Sequence, residues 1–189
     1  MKRHTVAASL AVAAFATGAY ASEPAYHVAE TVKLGGSVRW DYLTYETGRN
    51  RLFITRADRV DVFDAASKTI NGSIPGTRGV HGVALAPELD LGFASDGADN
   101  NVTVFTLSSL KTTATVAAGG NPDAIVYDPA TKRVFTGNGK SADLTAIDAA
   151  AGKTLTNIPV GGKPEFIAVD GKGRLYVNIE STNQLLVVD

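Results

Sequence analysis

A unit of about 42 residues is repeated along nearly the whole sequence. The stretch GGNPDAIVYDP at Gly119–Pro129 returns 42 residues later as GGKPEFIAVDG at Gly161–Gly171. HGVALAP at His81–Pro87 matches DAIVYDP at the same spacing, and a more diverged copy, DYLTYET, begins 40 residues earlier at Asp41. A period in this range is typical of repeat architectures, in which each unit forms one small structural element and buries its apolar surface against its neighbours.

Each unit contains up to four short apolar segments, which predict β-strands. The second segments are RLFIT at Arg51, LGFAS at Leu91, RVFTG at Arg133 and RLYVN at Arg174, and the third segments end at Asp64, Thr106, Asp148 and Asp189. The segments are rich in Val, Ile, Phe and Thr and are bounded by turn-forming residues, and no apolar stripe with helical spacing follows residue 21. Four strands per unit of about 40 residues predict an all-β fold, a β-propeller of four-stranded antiparallel blades.

About four blades are present, over residues 37–76, 77–118, 119–160 and 161–189. The first strand of each unit is apolar on both of its faces, as in Val83–Ala86, so it must be covered on both sides by neighbouring blades. The pairs Gly119–Gly120 and Gly161–Gly162 are expected to permit the sharp crossing from the outermost strand of one blade to the innermost strand of the next.

The last two units resemble the YVTN-repeat β-propellers, also called YncE-like proteins. VGGKPEFIAVDGKGRLYVNIESTNQLLVVD at Val160–Asp189 is similar to that family's G-x-P, apolar strand, D-G-x-x-L-Y-V-x-N and V-x-V-I-D sequence, in the same order. Ala118–Asp148 repeats the pattern with Phe135 in place of the Tyr, whereas the first unit lacks the G-x-P. The resemblance implies a ring of roughly seven blades, of which this chain is a fragment.

The chain ends of the propeller leave two alternatives open. Unit four stops at Asp189, after its third strand, and YHVAETVKLGG at Tyr26–Gly36 matches the fourth segment of unit three, TLTNIPVGG at Thr154–Gly162. Residues 22–36 are therefore expected to be an N-terminal segment with a closing strand for the last blade of a complete ring. The alternative is a closed four-blade ring in which Tyr26–Leu34 completes unit four, but packing suited to a wide ring does not readily tighten to four blades.

The first 21 residues are predicted to be a secretory signal. Lys2 and Arg3 are followed by an apolar run from Val6 to Ala16 and by Ala19–Ala21, an A-x-A cleavage pattern. Cleavage near Ala21 predicts a periplasmic or secreted protein, and the apolar run is too short for a membrane anchor, which needs about 20 residues. The sequence has no cysteine, so disulfides, thiolate metal sites and a covalently attached haem are excluded.

Composition favours a binding scaffold over nucleic-acid binding. Removal of the signal leaves 16 basic against 19 acidic residues with no basic cluster, which makes nucleic acid an unlikely partner. We expect an exported scaffold for an unknown protein or small-molecule ligand, with no evident cofactor and no predicted catalytic residue. The alternative is a metal-assisted enzyme of the lactonase or lyase type that uses His and carboxylates at the channel mouth.

One repeat position carries the candidate site. The residues that open the first strands of units one to four are Asp41, His81, Asp123 and Glu165. First strands line the channel of a propeller, so these side chains are expected at its mouth at one height, where they could bind a divalent cation. The alternative is a simple requirement for polar residues where the blades meet solvent. Separations within about 5 Å would permit coordination, whereas separations near 10 Å would leave only a negative field.

Overall fold

The computed structural model describes residues 26–36 and 39–189. The chain divides into two compact units, residues 1–32 and 33–189. Residues 26–32 of the first unit carry no regular secondary structure, and the predicted signal and its cleavage position lie outside the described residues. The second unit contains all the described strands.

Fifteen strands form four antiparallel sheets, which we call blades one to four. Blade one contains β1 (Leu43–Glu46), β2 (Arg51–Arg56), β3 (Arg59–Asp64) and β4 (Thr69–Pro75). Blade two contains β5 (Val80–Ala86), β6 (Leu91–Asp96), β7 (Asn101–Thr106) and β8 (Thr112–Ala117). Blade three contains β9 (Pro122–Asp128), β10 (Arg133–Asn138), β11 (Asp143–Asp148) and β12 (Lys153–Pro159), and blade four contains β13 (Pro164–Val169), β14 (Leu175–Ile179) and β15 (Gln184–Val188).

Strands within each blade pair in chain order, and every pair is antiparallel. The first strands β1, β5, β9 and β13 lie next to one another, so the blades are arranged around their innermost strands. The prediction of an all-β fold with four blades is confirmed. The helices of the described residues are three 3-10 turns, at Thr47–Arg49, Pro87–Leu89 and Glu180–Thr182, and none of them could span a membrane.

The hydrophobic core lies between the blades. One buried cluster joins Phe53 of blade one to Phe105 of blade two, with ring centroids 5.6 Å apart, and two further clusters join blades two to three and three to four. Phe93 belongs to the cluster on one side of β6 and its neighbour Ala94 to the cluster on the other. Because alternate residues of a strand point to opposite faces, this double burial explains why inner strands such as β6 carry apolar residues on both faces, whereas the outer strands β8 and β12 are mostly polar and exposed.

The two end blades expose large apolar side chains. Leu43 and Tyr45 of β1 are at least half exposed, as are Phe166 of β13 and Leu185 of β15. The fourth blade has three strands, all from its own unit, and no strand is assigned within residues 26–36. The closing strand expected over Tyr26–Leu34 is therefore not formed in this structure, and its place in a complete ring stays a prediction.

The two Gly-Gly pairs at the blade crossings meet packing and conformational needs. Gly161 has a φ of +73°, in the left-handed region that favours glycine. Gly119 has no positive φ, but a Cβ there would collide with Asn138 Nδ2 and Asp143 Oδ1 of the same blade. A Cβ at Gly162 would likewise lie 2.5 Å from Cγ2 of Ile179, so both crossings need close approach and the second also needs a positive φ.

Candidate functional site

The candidate residues open the innermost strands, where the pairing is irregular. The register of β5 against β6 shifts between Val80 and Val83, at His81, and equivalent shifts occur at Asp123 in β9 and at Glu165 in β13. Asp41 lies two residues before β1. A β-bulge bends its strand and re-aims the side chain at the extra position, so the same device recurs at the same place in three blades.

The structure brings three of the four predicted residues together, and we call them the mouth cluster: Asp41, His81 and Asp123. Nδ1 of His81 lies 2.8 Å from Oδ2 of Asp41 and 3.6 Å from Oδ1 of Asp123. One ligand-type atom from each residue lies within 4.8 Å of the others. Three different blades therefore contribute to one cluster, within the separation that coordination requires.

Glu165 does not join the mouth cluster. Its Oε2 lies 3.1 Å from the ammonium group of Lys163, which is also 2.6 Å from Oε2 of Glu180. Hydrogen bonds to Glu180 and Glu165 raise the pKa of Lys163 above its ordinary value. Blade four thus places a local ion-pair network where the first three blades place the cluster.

The backbone beneath the cluster is tied together across blades. The buried hydroxyl of Ser95 accepts a hydrogen bond from the N–H of Gly82 at 3.0 Å and donates to the carbonyl oxygen of Asp123 at 2.7 Å. The N–H of Tyr42 donates to the carbonyl oxygen of His81 at 3.2 Å. These bonds fix the relative positions of the three innermost strands, and hence of the side chains that they carry.

The cluster has a negative electrostatic environment. Burial raises the pKa of Asp123, and the charges of Asp41 and Glu165 raise it further, against the opposing effects of His81 and Lys163. Burial, followed by the charges of Asp123, Asp41 and Glu165, also raises the pKa of Tyr42. The same charges favour a bound cation at this mouth.

A cavity of about 390 Å³ opens beside the cluster. It is lined by Asp41 and His81 together with Trp40, Ala98, Asn121 and Lys140, among others. Trp40 is 47% exposed, and the guanidinium carbon of Arg56 lies 4.2 Å from the centre of its ring. The Trp40 side chain is therefore held against a buried arginine and lines the cavity rather than packing in the core.

Sequence reasoning missed the groups that support the cluster. A GGKPEF stretch places Lys163 two residues before Glu165, and this spacing was the available signal that Glu165 has its own partner. Ser95 and the bulges carry no distinctive sequence pattern. Trp40 lies just before the repeated segment that begins at Asp41, so the repeat pattern gives no information on its stacking with Arg56.

Comparison with known proteins supports the fold alone. No known protein family matches the sequence, and no curated protein matches it. Among solved structures, the chain is similar to Kuenenia stuttgartiensis hydrazine synthase with a TM-score of 0.75 and 13% identity, over 87% of this chain and 49% of that one. It is also similar to the WD40 β-propeller domain of Doa1, with a TM-score of 0.67 and 11% identity, over 78% of this chain and 49% of that one.

This chain therefore spans about half the length of the solved chains that it matches. At such low identity these likenesses carry no activity or ligand to this chain. Together with the four antiparallel blades, they show that the chain has a β-propeller fold.

Proposed function

We propose that this chain is an exported β-propeller scaffold that binds a small ligand in the cavity beside the mouth cluster. The observation that carries the proposal is the convergence of Asp41, His81 and Asp123 from three blades, two of which, Asp41 and His81, line one cavity. A volume of about 390 Å³ is within the range of small-molecule sites. Binding residues placed on rigid strands are held more accurately than residues on loops.

The residues at the cavity supply both kinds of contact that a ligand needs. Trp40 offers a half-exposed aromatic face, and Asn121 and Lys140 offer hydrogen-bond donors beside the carboxylates. A mainly apolar or aromatic surface with a few directed polar groups is the usual composition of a ligand pocket.

A binding screen with defined probes tests the proposal. Thermal shifts and equilibrium dialysis are measured with putrescine, glucose, citrate and adenosine, which represent cationic, neutral, anionic and aromatic ligands. A probe that binds in the cavity should lose at least about tenfold in affinity in Trp40→Ala, which removes the aromatic face. Ala98→Phe, which fills the exposed wall of the cavity, should have the same effect.

The matched control is Lys153→Ala on the exposed outer strand of blade three, far along the sheet from the innermost strands. It should leave the affinity unchanged. The proposal fails if no probe binds, or if a probe binds equally well to the parent, Trp40→Ala and Ala98→Phe.

We further propose that the chain is exported by its N-terminal signal and is related to the YVTN-repeat, YncE-like propellers. The basic start, the apolar run and the A-x-A pattern at Ala19–Ala21 support export, and the motif order in Val160–Asp189 supports the relationship. Mass spectrometry of the chain from the periplasmic fraction should give a mature N-terminus near Ser22. A full-length product retained in the cytoplasm would contradict the export proposal.

A further inference from the structure

We propose that the mouth cluster of Asp41, His81 and Asp123 binds one divalent cation of the Zn²⁺ type. This proposal specifies the chemistry of the ligand site proposed above. It rests on the proposed function only in placing the cation beside the same cavity. Its direct support is the position and chemistry of three side chains that the fold brings together from three blades.

The separations of the donor atoms match a metal site. Zn²⁺ binds His nitrogen and carboxylate oxygen at about 2.0–2.2 Å, so two donors in a tetrahedral site lie about 3.3 Å apart. The distances from Nδ1 of His81 are 2.8 Å to Asp41 and 3.6 Å to Asp123, on either side of that value, and all three donor atoms lie within 4.8 Å of one another. Small movements of the side-chain ends would bring the three donors to the spacing of a metal site.

The groups present do not satisfy one another. Nδ1 of His81 can donate one proton, and Asp41 at 2.8 Å is its hydrogen-bond partner. The Asp123 oxygen at 3.6 Å lies beyond hydrogen-bond range, and within residues 26–36 and 39–189 no other group donates to the Asp123 carboxylate. A half-buried carboxylate without a donor is costly, and a cation shared with Asp41 and His81 removes that cost.

Lys163 does not fill this role. It is held between Glu165 and Glu180, at 3.1 and 2.6 Å, and so is paired within blade four. Among the described residues, the imidazole of His81 is the ion-pair partner of both carboxylates of the mouth cluster. A divalent cation balances both carboxylates at once.

The donor set indicates the type of cation. Carboxylates alone would suit Ca²⁺ or Mg²⁺, whereas imidazole nitrogen favours Zn²⁺ and related first-row metals. Three protein ligands leave a tetrahedral zinc one open coordination position, and Asp41 and His81 both line the cavity. A ligand in the cavity could bind the metal at that position.

Gly97 offers a means of moving the imidazole without removing any ligand. A Cβ at this position would lie 2.7 Å from Nε2 of His81, so Gly97→Ala must displace the ring. Displacement by a few tenths of an ångström should weaken metal binding by about tenfold, comparable to the loss of a group that orients a ligand.

Calorimetric titration of the tag-free full chain with Zn²⁺, and separately with Ca²⁺, tests the proposal. The parent should bind one Zn²⁺ per chain, and Ca²⁺ at least about tenfold more weakly because one ligand is nitrogen. His81→Gln and Asp123→Asn should each weaken Zn²⁺ binding by at least about 100-fold, more than the loss of an orienting group. Absorption of the Co²⁺-loaded parent should show a ligand-field band that His81→Gln changes.

Glu165→Gln is the matched control, because it removes a carboxylate at the same repeat position that pairs with Lys163 instead of joining the cluster. It should weaken Zn²⁺ binding far less than His81→Gln or Asp123→Asn, because Glu165 acts on the mouth cluster only through its charge. The absence of saturable Zn²⁺ binding, or equal binding in the parent, His81→Gln and Asp123→Asn, overturns the proposal. If Zn²⁺ does not bind but an organic probe binds in the cavity, the metal proposal fails and the proposed ligand-binding function stands. If Zn²⁺ binds and no organic probe does, the proposed ligand-binding function fails and the metal proposal stands.

Discussion

Asp96 makes the stability of the fold depend on pH. It ends β6, its carboxyl group is buried, and Oδ2 accepts a hydrogen bond from the hydroxyl of Thr103 at 2.5 Å. Among the described residues, none donates to Oδ1. Burial raises the pKa of Asp96 from 3.8 to about 7, against the opposing effect of the Thr103 hydrogen bond and with some help from the charge of Asp99.

The size of the effect follows from the pKa. One pKa unit corresponds to about 1.4 kcal/mol, so a rise from 3.8 to about 7 corresponds to about 4 kcal/mol. Below about pH 4 the carboxyl group is protonated in both the folded and the unfolded chain, and it imposes no cost. Between that pH and about 7 the folded chain holds the proton more tightly, so the free energy of unfolding falls as the pH rises; above about 7 the loss is constant.

Asp96→Asn should remove this cost because the amide does not ionise. Blade three already has Asn138 at the equivalent position, where Nδ2 donates to Asp143 Oδ1 at 2.8 Å. In blade two the residue opposite Asp96 is Asn101, whose buried Oδ1 has no donor among the described residues and could accept from the new amide. The variant should therefore be more stable than the parent by up to about 4 kcal/mol at pH 8 and about equal at pH 4.

Urea unfolding followed by circular dichroism, at several pH values from 4 to 8, measures the difference between the two proteins. The reverse change in blade three, Asn138→Asp, is the matched control and should lose stability as the pH rises. Parallel pH profiles for the parent and Asp96→Asn would show that the folded chain tolerates the ionised carboxylate and would refute the reasoning.

Two further substitutions test the packing around the site. Arg56→Met removes the buried ion pair with Asp61, 3.1 Å long, and should cost about 2 kcal/mol in urea unfolding, because Asp61 keeps Arg59 as a partner at 2.9 Å. It also removes the guanidinium from Trp40, so the fluorescence of this single tryptophan should change in intensity; an unaltered spectrum would contradict the stacking. Gly119→Ala should cost about 1–3 kcal/mol because its Cβ meets side chains of blade three, whereas Gly48→Ala, which meets nothing, should stay within about 0.5 kcal/mol of the parent.

The fold could be predicted because a blade is a local structure that repeats. Each strand pairs with the next strand in the chain, so short apolar segments such as Phe93–Ser95 and the turns between them determine the sheet. Burial on both faces makes the inner segments apolar on both of their alternating sets, and the fixed period of about 42 residues places the blades in order. The prediction failed to anticipate the bulges, because a one-residue change of register leaves the apolar pattern almost unaltered.

The candidate site could be predicted only in part. The repeat register identified Asp41, His81 and Asp123 because equivalent positions of neighbouring blades become neighbours in space. It also included Glu165, since register takes no account of local partners, and the ammonium group of Lys163 competes for that carboxylate at 3.1 Å. Side chains two residues apart in an extended chain lie on the same face, so Lys163 can reach Glu165, as Arg59 reaches Asp61 at 2.9 Å in β3.

Two sets of polar residues in this propeller differ in where their partners lie. At the end of the second strand, the buried pairs are Arg56 with Asp61, Asp96 with Thr103 and Asn138 with Thr145, and both members of each pair belong to one blade. A substitution at this position needs a matching partner only within its own blade. The three blades can therefore have different residues there, the cation Arg56, the acid Asp96 and the amide Asn138. The mouth cluster is different because its contacts run between blades, so no blade can compensate alone. Ligand-type side chains at that position in all three blades, with contacts that run between blades, are the arrangement that the proposed shared cation requires.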